Sequence, residues 1–202
     1  MRRLPTQPVP TSGTEPAWVF LQKQARIGRM PLPVAPPDRL AAGPFDLRVM
    51  VEADWALEVA LSMDPDVLRW THYRPQMTEE TARARLRPTH SEGASADTYR
   101  YLITDGQTNL GVAGVFADPG EVPEIYYALL RTGRGRGAAS LATRALTDWL
   151  LDNGSRVVTL VIFEGNTASE AVALRTGYSF QRRATANHQG VPTETTVWER
   201  TI

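Results

Sequence analysis

The chain contains no cysteine, which excludes disulfides, a thiolate zinc site and a thiol nucleophile and makes a reducing cytoplasm the expected compartment. It also lacks any apolar run near the roughly 20 residues that a membrane-spanning helix needs. The opening Met1-Arg2-Arg3-Leu4-Pro5 leads into no signal-peptide core, so no membrane partner is expected. There is no excess charge of either sign: 22 Lys plus Arg balance 22 Asp plus Glu. Binding to a nucleic acid or other polyanion would call for a basic surplus, so none is expected. Lysine is nearly absent, with Lys23 the only one, and so general an arginine preference reflects genome composition more simply than function. The three histidines, His72, His90 and His188, are far apart with no helical partner, so no metal site is expected. No internal repeat is visible.

Proline, by contrast, is abundant at one end. Nine of the fifteen prolines fall within residues 1–44, where they forbid helix interiors and central strands and imply an extended N-terminal segment. An apolar island inside it, Trp18 to Leu21, is expected to dock on its own domain. Residues 45–202 remain for one domain of about 150 residues, for which 42% apolar content provides a core.

Within that domain the informative stretch is Leu129 to Ser140. Ile125 to Leu130, bounded by Pro123 and by glycines, reads as a strand. Ala138, Leu141, Ala142, Ala145, Leu146, Trp149 and Leu150 make one apolar helical stripe. The intervening loop therefore opens a helix, whose first N–H groups lack partners and attract an anion. The Walker pattern and the dinucleotide fingerprint both fail here. Arg134, Gly137 and Ala139 instead fill the defining positions of Q/R-x-x-G-x-G/A. On this signature the chain resembles the GNAT superfamily of acyl-CoA-dependent N-acetyltransferases, which implies that Arg134, Gly135, Arg136, Gly137, Ala138 and Ala139 hold the pyrophosphate of acetyl-CoA.

Arg156 to Phe163 is a nearly uninterrupted β-branched strand of the kind covered on both faces, and strand, helix, strand implies a parallel pair. Thr167 with Glu170 reads as a capping box opening another helix, and Gly177 fits the position just past its end. Asn166 and Ser169, as N-x-x-S, followed by a helix ending in Gly-aromatic, resemble the next motif of the same family, in its ribosomal-protein N-acetyltransferase branch.

Elsewhere, Phe45 to Val51 is expected as a strand, Ala53 to Leu61 as a helix, and Thr78 as the start of a helix ending before Pro88. Tyr99 to Thr104 and Leu110 to Phe116 are expected to form a hairpin, and Tyr178 to Arg183 and Thr193 to Thr201 two strands around a polar loop, Asn187 to Pro192. The expected fold is α/β: a mixed, mostly antiparallel central sheet with one parallel, splayed junction and helices on both faces.

Acetyl transfer to an amine needs a base for the amine, a donor for the thioester carbonyl, and tolerance or protonation of the leaving thiolate. Glu124, at the start of the strand before the loop, is the candidate base, with Glu121 an alternative by sequence. The resemblance implies that a backbone N–H near Leu129 or Leu130 faces the carbonyl. It further implies Ser169 as general acid and Asn166 as a pantetheine contact; their competing roles are a first-turn hydroxyl and a turn residue. Trp70 and Tyr73 fall where the family builds the acceptor wall, core packing being the alternative. The expected activity is transfer of an acetyl group from acetyl-CoA to a primary amine, on a small molecule or a peptide, by direct attack. A catalytically silent acyl-CoA-binding or interaction module is the alternative, and the chain is compatible with a monomer or a homodimer.

Overall fold

The computed structural model describes residues 36–87, 97–117 and 121–202. Trp18 to Leu21 and His90 lie outside the described residues. Eight strands form one sheet in the order β1-β2-β3-β4-β5-β6-β8-β7. They are β1 (Arg39–Ala42), β2 (Phe45–Val49), β3 (Asp97–Thr104), β4 (Asn109–Ala117), β5 (Glu124–Leu129), β6 (Val157–Phe163), β7 (Ser179–His188) and β8 (Val191–Thr201). The helices are α1 (Trp55–Met63), α2 (Pro65–Trp70), α3 (Glu79–Leu86), α4 (Ala138–Asp152) and α5 (Thr167–Arg175). Every strand pairing is antiparallel except β5 with β6. This is the mixed, mostly antiparallel sheet with one parallel junction that the sequence implies. No helix among the described residues is long and apolar enough to cross a membrane.

Strand alternation sorts the core into two layers. Tyr101, Ile103, Val115, Ile125, Val158, Leu160 and Ile162 pack against Ala138, Ala142, Leu146 and Leu150 of α4 and Ala173 of α5. On the other face Leu102, Val112 and Ala128 pack against Leu57, Leu61, Val67, Ala82 and Leu86 of α1 to α3. The four buried apolar residues of α4 recur at i+4, which makes this helix the most legible element.

Several local details differ from the sequence expectations. The last residues of the proline-rich stretch form β1, turning into β2 so that Ala42 faces Phe45, with Ala42 in the core. α2 was not anticipated, because six residues carry too little periodicity. It forms because Pro65 suits a first helical position and Asp64 caps it, its Oδ1 accepting from the N–H groups of Asp66 at 3.0 Å and Val67 at 3.2 Å. The N-cap of α5 is Asn166, not Thr167: Asn166 Oδ1 accepts from Ser169 N–H at 3.2 Å. The expected loop at Asn187 to Pro192 contracts to Gln189-Gly190, because both residues take positive φ, 53° and 89°, which suits a two-residue hairpin turn. β7 and β8 therefore run on to His188 and from Val191.

Candidate functional site

The junction of β5 and β6 is a single step long. Glu124 faces Thr159 across it, and Thr159 N–H donates to Pro123 O at 2.9 Å, but beyond that register the two strands carry no further pairing. β5 stays paired to β4 up to Leu129, opposite Gly111. A wedge thus opens between β5 and β6 toward the glycine-rich loop. Leu130 N–H donates to Leu110 O at 2.9 Å, so it is already engaged. Strand alternation then turns the amide of Leu129, and of Tyr127 before it, into the wedge.

Past Leu130, one turn of 3-10 helix (Arg131–Gly133) leads to Gly137, the N-cap of α4. Gly137 adopts φ +80°, where an L side chain is strained, and no side chain caps the helix. The first intrahelical bond runs from Leu141 N–H to Gly137 O at 3.0 Å, and the N–H groups of Ala138, Ala139 and Ser140 have no partner among the described residues. A Cβ placed at Gly135 or Gly137 would meet nothing within 4 Å. Free amides, the positive end of a fifteen-residue helix and clear space around two glycines fit a pyrophosphate.

The loop arginines point elsewhere. Arg134 donates to Asp64 Oδ1 and Asp66 Oδ2, both at 2.6 Å, and from Nε and Nη2 to Leu129 O at 3.1 and 2.9 Å. It therefore staples the start of α2 to the end of β5, and its guanidinium holds the Asp64 carboxyl below its usual range against the opposing effect of burial. Arg136 pairs with Asp105 of the β3–β4 turn at 2.8 Å. Of the six loop residues, the glycines and alanines offer backbone to a ligand, whereas the two arginines are engaged in shaping the loop.

Glu124 shares its strand face with Ala128, the face of α1 to α3. It is half-buried, makes no side-chain hydrogen bond among the described residues, and burial pushes its carboxyl up to about 7. Tyr127 and Ser169 lie on the other side of the wedge. Burial pushes the Tyr127 phenol up to about 12, with the neighbouring Ser169 hydroxyl acting against the shift. Tyr127 Oη nevertheless has no well-formed hydrogen bond, so the two hydroxyls are neighbours rather than a closed pair. Tyr127 was missed in the sequence; only strand parity and the position of α5 bring it to Ser169.

Asn166 is buried and occupied as the α5 cap. Trp70 is half-buried with Arg69 stacked on it, its ring edge 4.0 Å from where a Cβ of Gly165 would stand, so it closes over the β6–α5 turn. Tyr73 is only 4% exposed and packs within the α1–α3 layer, its phenol beside the Glu58, Arg85 and Arg100 cluster; it presents no surface to a ligand. Two histidines that sequence separation kept apart meet beside Trp70. His72 packs on Phe163 at 5.2 Å and lies 6.3 Å from His188, whose Nε2 sits 3.0 Å from both Leu68 O and Thr71 O. Both partners of that nitrogen are acceptors, so it carries the proton. Desolvation first, and His188 second, hold His72 below its usual pKa. Among the described residues no group of three potential metal ligands converges.

The family model described as "Acetyltransferase (GNAT) domain" matches residues 45–179. No curated protein matches. Among solved structures, the microcin C7 self-immunity acetyltransferase MccE in complex with acetyl-CoA and AMP superposes with a TM-score of 0.71 at 14% identity, covering 83% of this chain and 98% of that one. The acetyltransferase from Salmonella typhimurium that modifies the N-terminal serine of ribosomal protein L7/L12 gives 0.68 at 19% identity, covering 81% and 99%. AAC(6')-Ib in complex with ribostamycin and coenzyme A gives 0.65 at 16%, covering 78% and 93%. With a wedge between parallel strands, an uncapped glycine-rich helix start and a family model spanning both, the chain belongs to the GNAT acetyltransferase family.

Proposed function

We propose that this enzyme acetylates a primary amine by direct attack on acetyl-CoA, with the proton traffic divided between the two sides of the β5–β6 wedge. The observation that carries this is the placement of Glu124 on the α1–α3 side of the sheet, where the wedge closes, and of Ser169 beside Tyr127 on the α4–α5 side.

When bound, acetyl-CoA supplies the acetyl group as a thioester. The amides of Ala138, Ala139 and Ser140 would hold its pyrophosphate, and the wedge would take the pantetheine arm beside Leu129 and Asn166. The Leu129 N–H, held in a strand and needing no reorganisation, donates to the carbonyl oxygen as negative charge grows there. Glu124, with a carboxyl near neutrality but about 16 Å along the strand from Leu129, would accept through intervening water the proton that the amine loses on forming its bond to carbon. Ser169 donates to the sulfur as the carbon–sulfur bond breaks. Trp70 and His72 flank the end of the wedge where the amine would enter.

The relatives support an amine acceptor without choosing one. One modifies an N-terminal serine, and two are complexes with coenzyme A or its acetyl form, one of them also holding ribostamycin. The test has two steps. A thermal-shift titration with coenzyme A should raise the melting temperature, and a thiol-release assay with acetyl-CoA over a panel of amines should show amine-dependent turnover. A shift without release from any amine would leave a silent acyl-CoA-binding module; no shift would overturn the reading.

A further inference from the structure

α2 is six residues long, too short to hold itself as a helix, so its neighbours decide where it lies. Its two ends are held by opposite sides of the wedge. At the start, Arg134 Nη2 donates to Asp64 Oδ1 at 2.6 Å and to Leu129 O at 2.9 Å, so the N-cap hangs on the last residue of β5. At the far end, His72 packs on Phe163, the last residue of β6, and Trp70 lies over Gly165 just beyond it. Paired strands stand about 4.8 Å apart, whereas six helical residues rise about 9 Å. α2 therefore bridges the mouth where β5 and β6 have come apart.

The end of a helix leaves its last carbonyls without partners, and here a hairpin turn serves them. Val67 O is satisfied locally, by the Thr71 hydroxyl at 2.6 Å. Leu68 O is served from 120 positions away: His188 Nε2–H is shared between it and Thr71 O, both at 3.0 Å, and Gln189 Nε2 adds a second bond to Leu68 O at 3.1 Å. His188 is the last residue of β7, and its ring also leans on Phe163 with centroids 4.7 Å apart. One side chain thus touches both the end of β6 and the end of α2.

We infer that His188 is a positioning residue for acetyl transfer: it fastens the C-terminal end of α2 beside Phe163 and so fixes Trp70 and His72 at the mouth where the amine enters. It rests on the acetyl-transfer reading above and gives His188 no contact with the reacting atoms. What the helix end needs from the ring is an N–H donor, and a carboxamide can supply one, as Gln189 does from the next position.

The test measures thiol release from acetyl-CoA by the full chain, using the amine turned over fastest in the panel above, for wild type, His188→Leu and His188→Gln. Melting temperature and calorimetric coenzyme A affinity are recorded for all three. His188→Leu should lower kcat/KM for the amine by about 10- to 100-fold, the size of a misplacement of about 1 Å near a reacting centre, while KM for acetyl-CoA and coenzyme A affinity stay at wild-type values. His188→Gln keeps a donor and should remain within about 3-fold of wild type, the cost of one hydrogen bond of poorer geometry. A leucine variant with wild-type kcat/KM overturns the positioning role while leaving acetyl transfer standing, and so does a loss that glutamine leaves uncorrected or that coenzyme A affinity shares. Wild type that binds coenzyme A and turns over no amine overturns both.

Discussion

Replacing Glu124 with glutamine should lower activity and raise stability at once, and the two effects share a cause. In the unfolded chain the carboxyl titrates at its ordinary 4.5, whereas burial at the foot of the wedge raises it to about 7. The folded protein therefore holds the proton more tightly than the unfolded one. Stability is present in full below 4.5 and is lost as pH rises through 7. A shift of that size corresponds to at most about 3 kcal/mol above pH 7. Glu124 keeps part of its surface in water, which brings the expected cost to about 1–2 kcal/mol. Glutamine has nearly the same shape and no proton to lose, so Glu124→Gln should recover that amount at pH 8 and nothing at pH 4. For a domain of this size the gain is a rise of roughly 2–8 °C in melting temperature. On the proposed reading the same substitution removes the base, so turnover should fall by about 10²- to 10⁴-fold with coenzyme A affinity retained. The assays are melting scans from pH 4 to 9 and thiol release over the range where the protein stays folded. Wild-type kcat/KM should rise with a midpoint near 7 and the variant should lack that step. A variant that melts below wild type at pH 8, or that keeps full activity at every pH, would refute the assignment and direct attention to Glu121.

Gly137→Val should weaken coenzyme A binding by tenfold or more in calorimetry, because the side chain enters the space that the pyrophosphate needs. The fold should lose only about 1–2 kcal/mol, the strain of a branched residue at φ +80°, since no atom stands within 4 Å of the new Cβ. Ser169→Ala should reduce turnover by less than Glu124→Gln does, since a departing thiolate with a pKa of roughly 8.5 tolerates the loss of an acid; a larger loss than that of the glutamine variant would reverse the two roles. Arg134→Ala should uncouple α2 from β5 and cost about 1–3 kcal/mol in denaturant melts, since two carboxylates and Leu129 O lose their donor together. If Arg134 instead bound phosphate directly, coenzyme A affinity would fall while stability stayed constant.

The sequence alone determined the elements with strong periodicity and the loop between two of them. The α4 stripe, the β-branched run of β6 and the β3–β4 hairpin depend on residues within one segment, and so does the Q/R-x-x-G-x-G/A loop that opens α4. α2 and the turn at Gln189-Gly190 were not legible, because one depends on a cap bond from Asp64 and the other on two residues accepting positive φ. What the tertiary structure decided is which residues meet. Arg134 carries the family signature in sequence, but Asp64 and Asp66, some seventy positions upstream, claim its guanidinium. Trp70 and Tyr73 are three residues apart, yet one closes over the β6–α5 turn and the other is sealed in the α1–α3 layer. Glu124 owes its raised pKa, its partner Phe116 and its place opposite Ser169 to strand register and burial. Register is set by packing over the whole sheet, so no local pattern of residues records it.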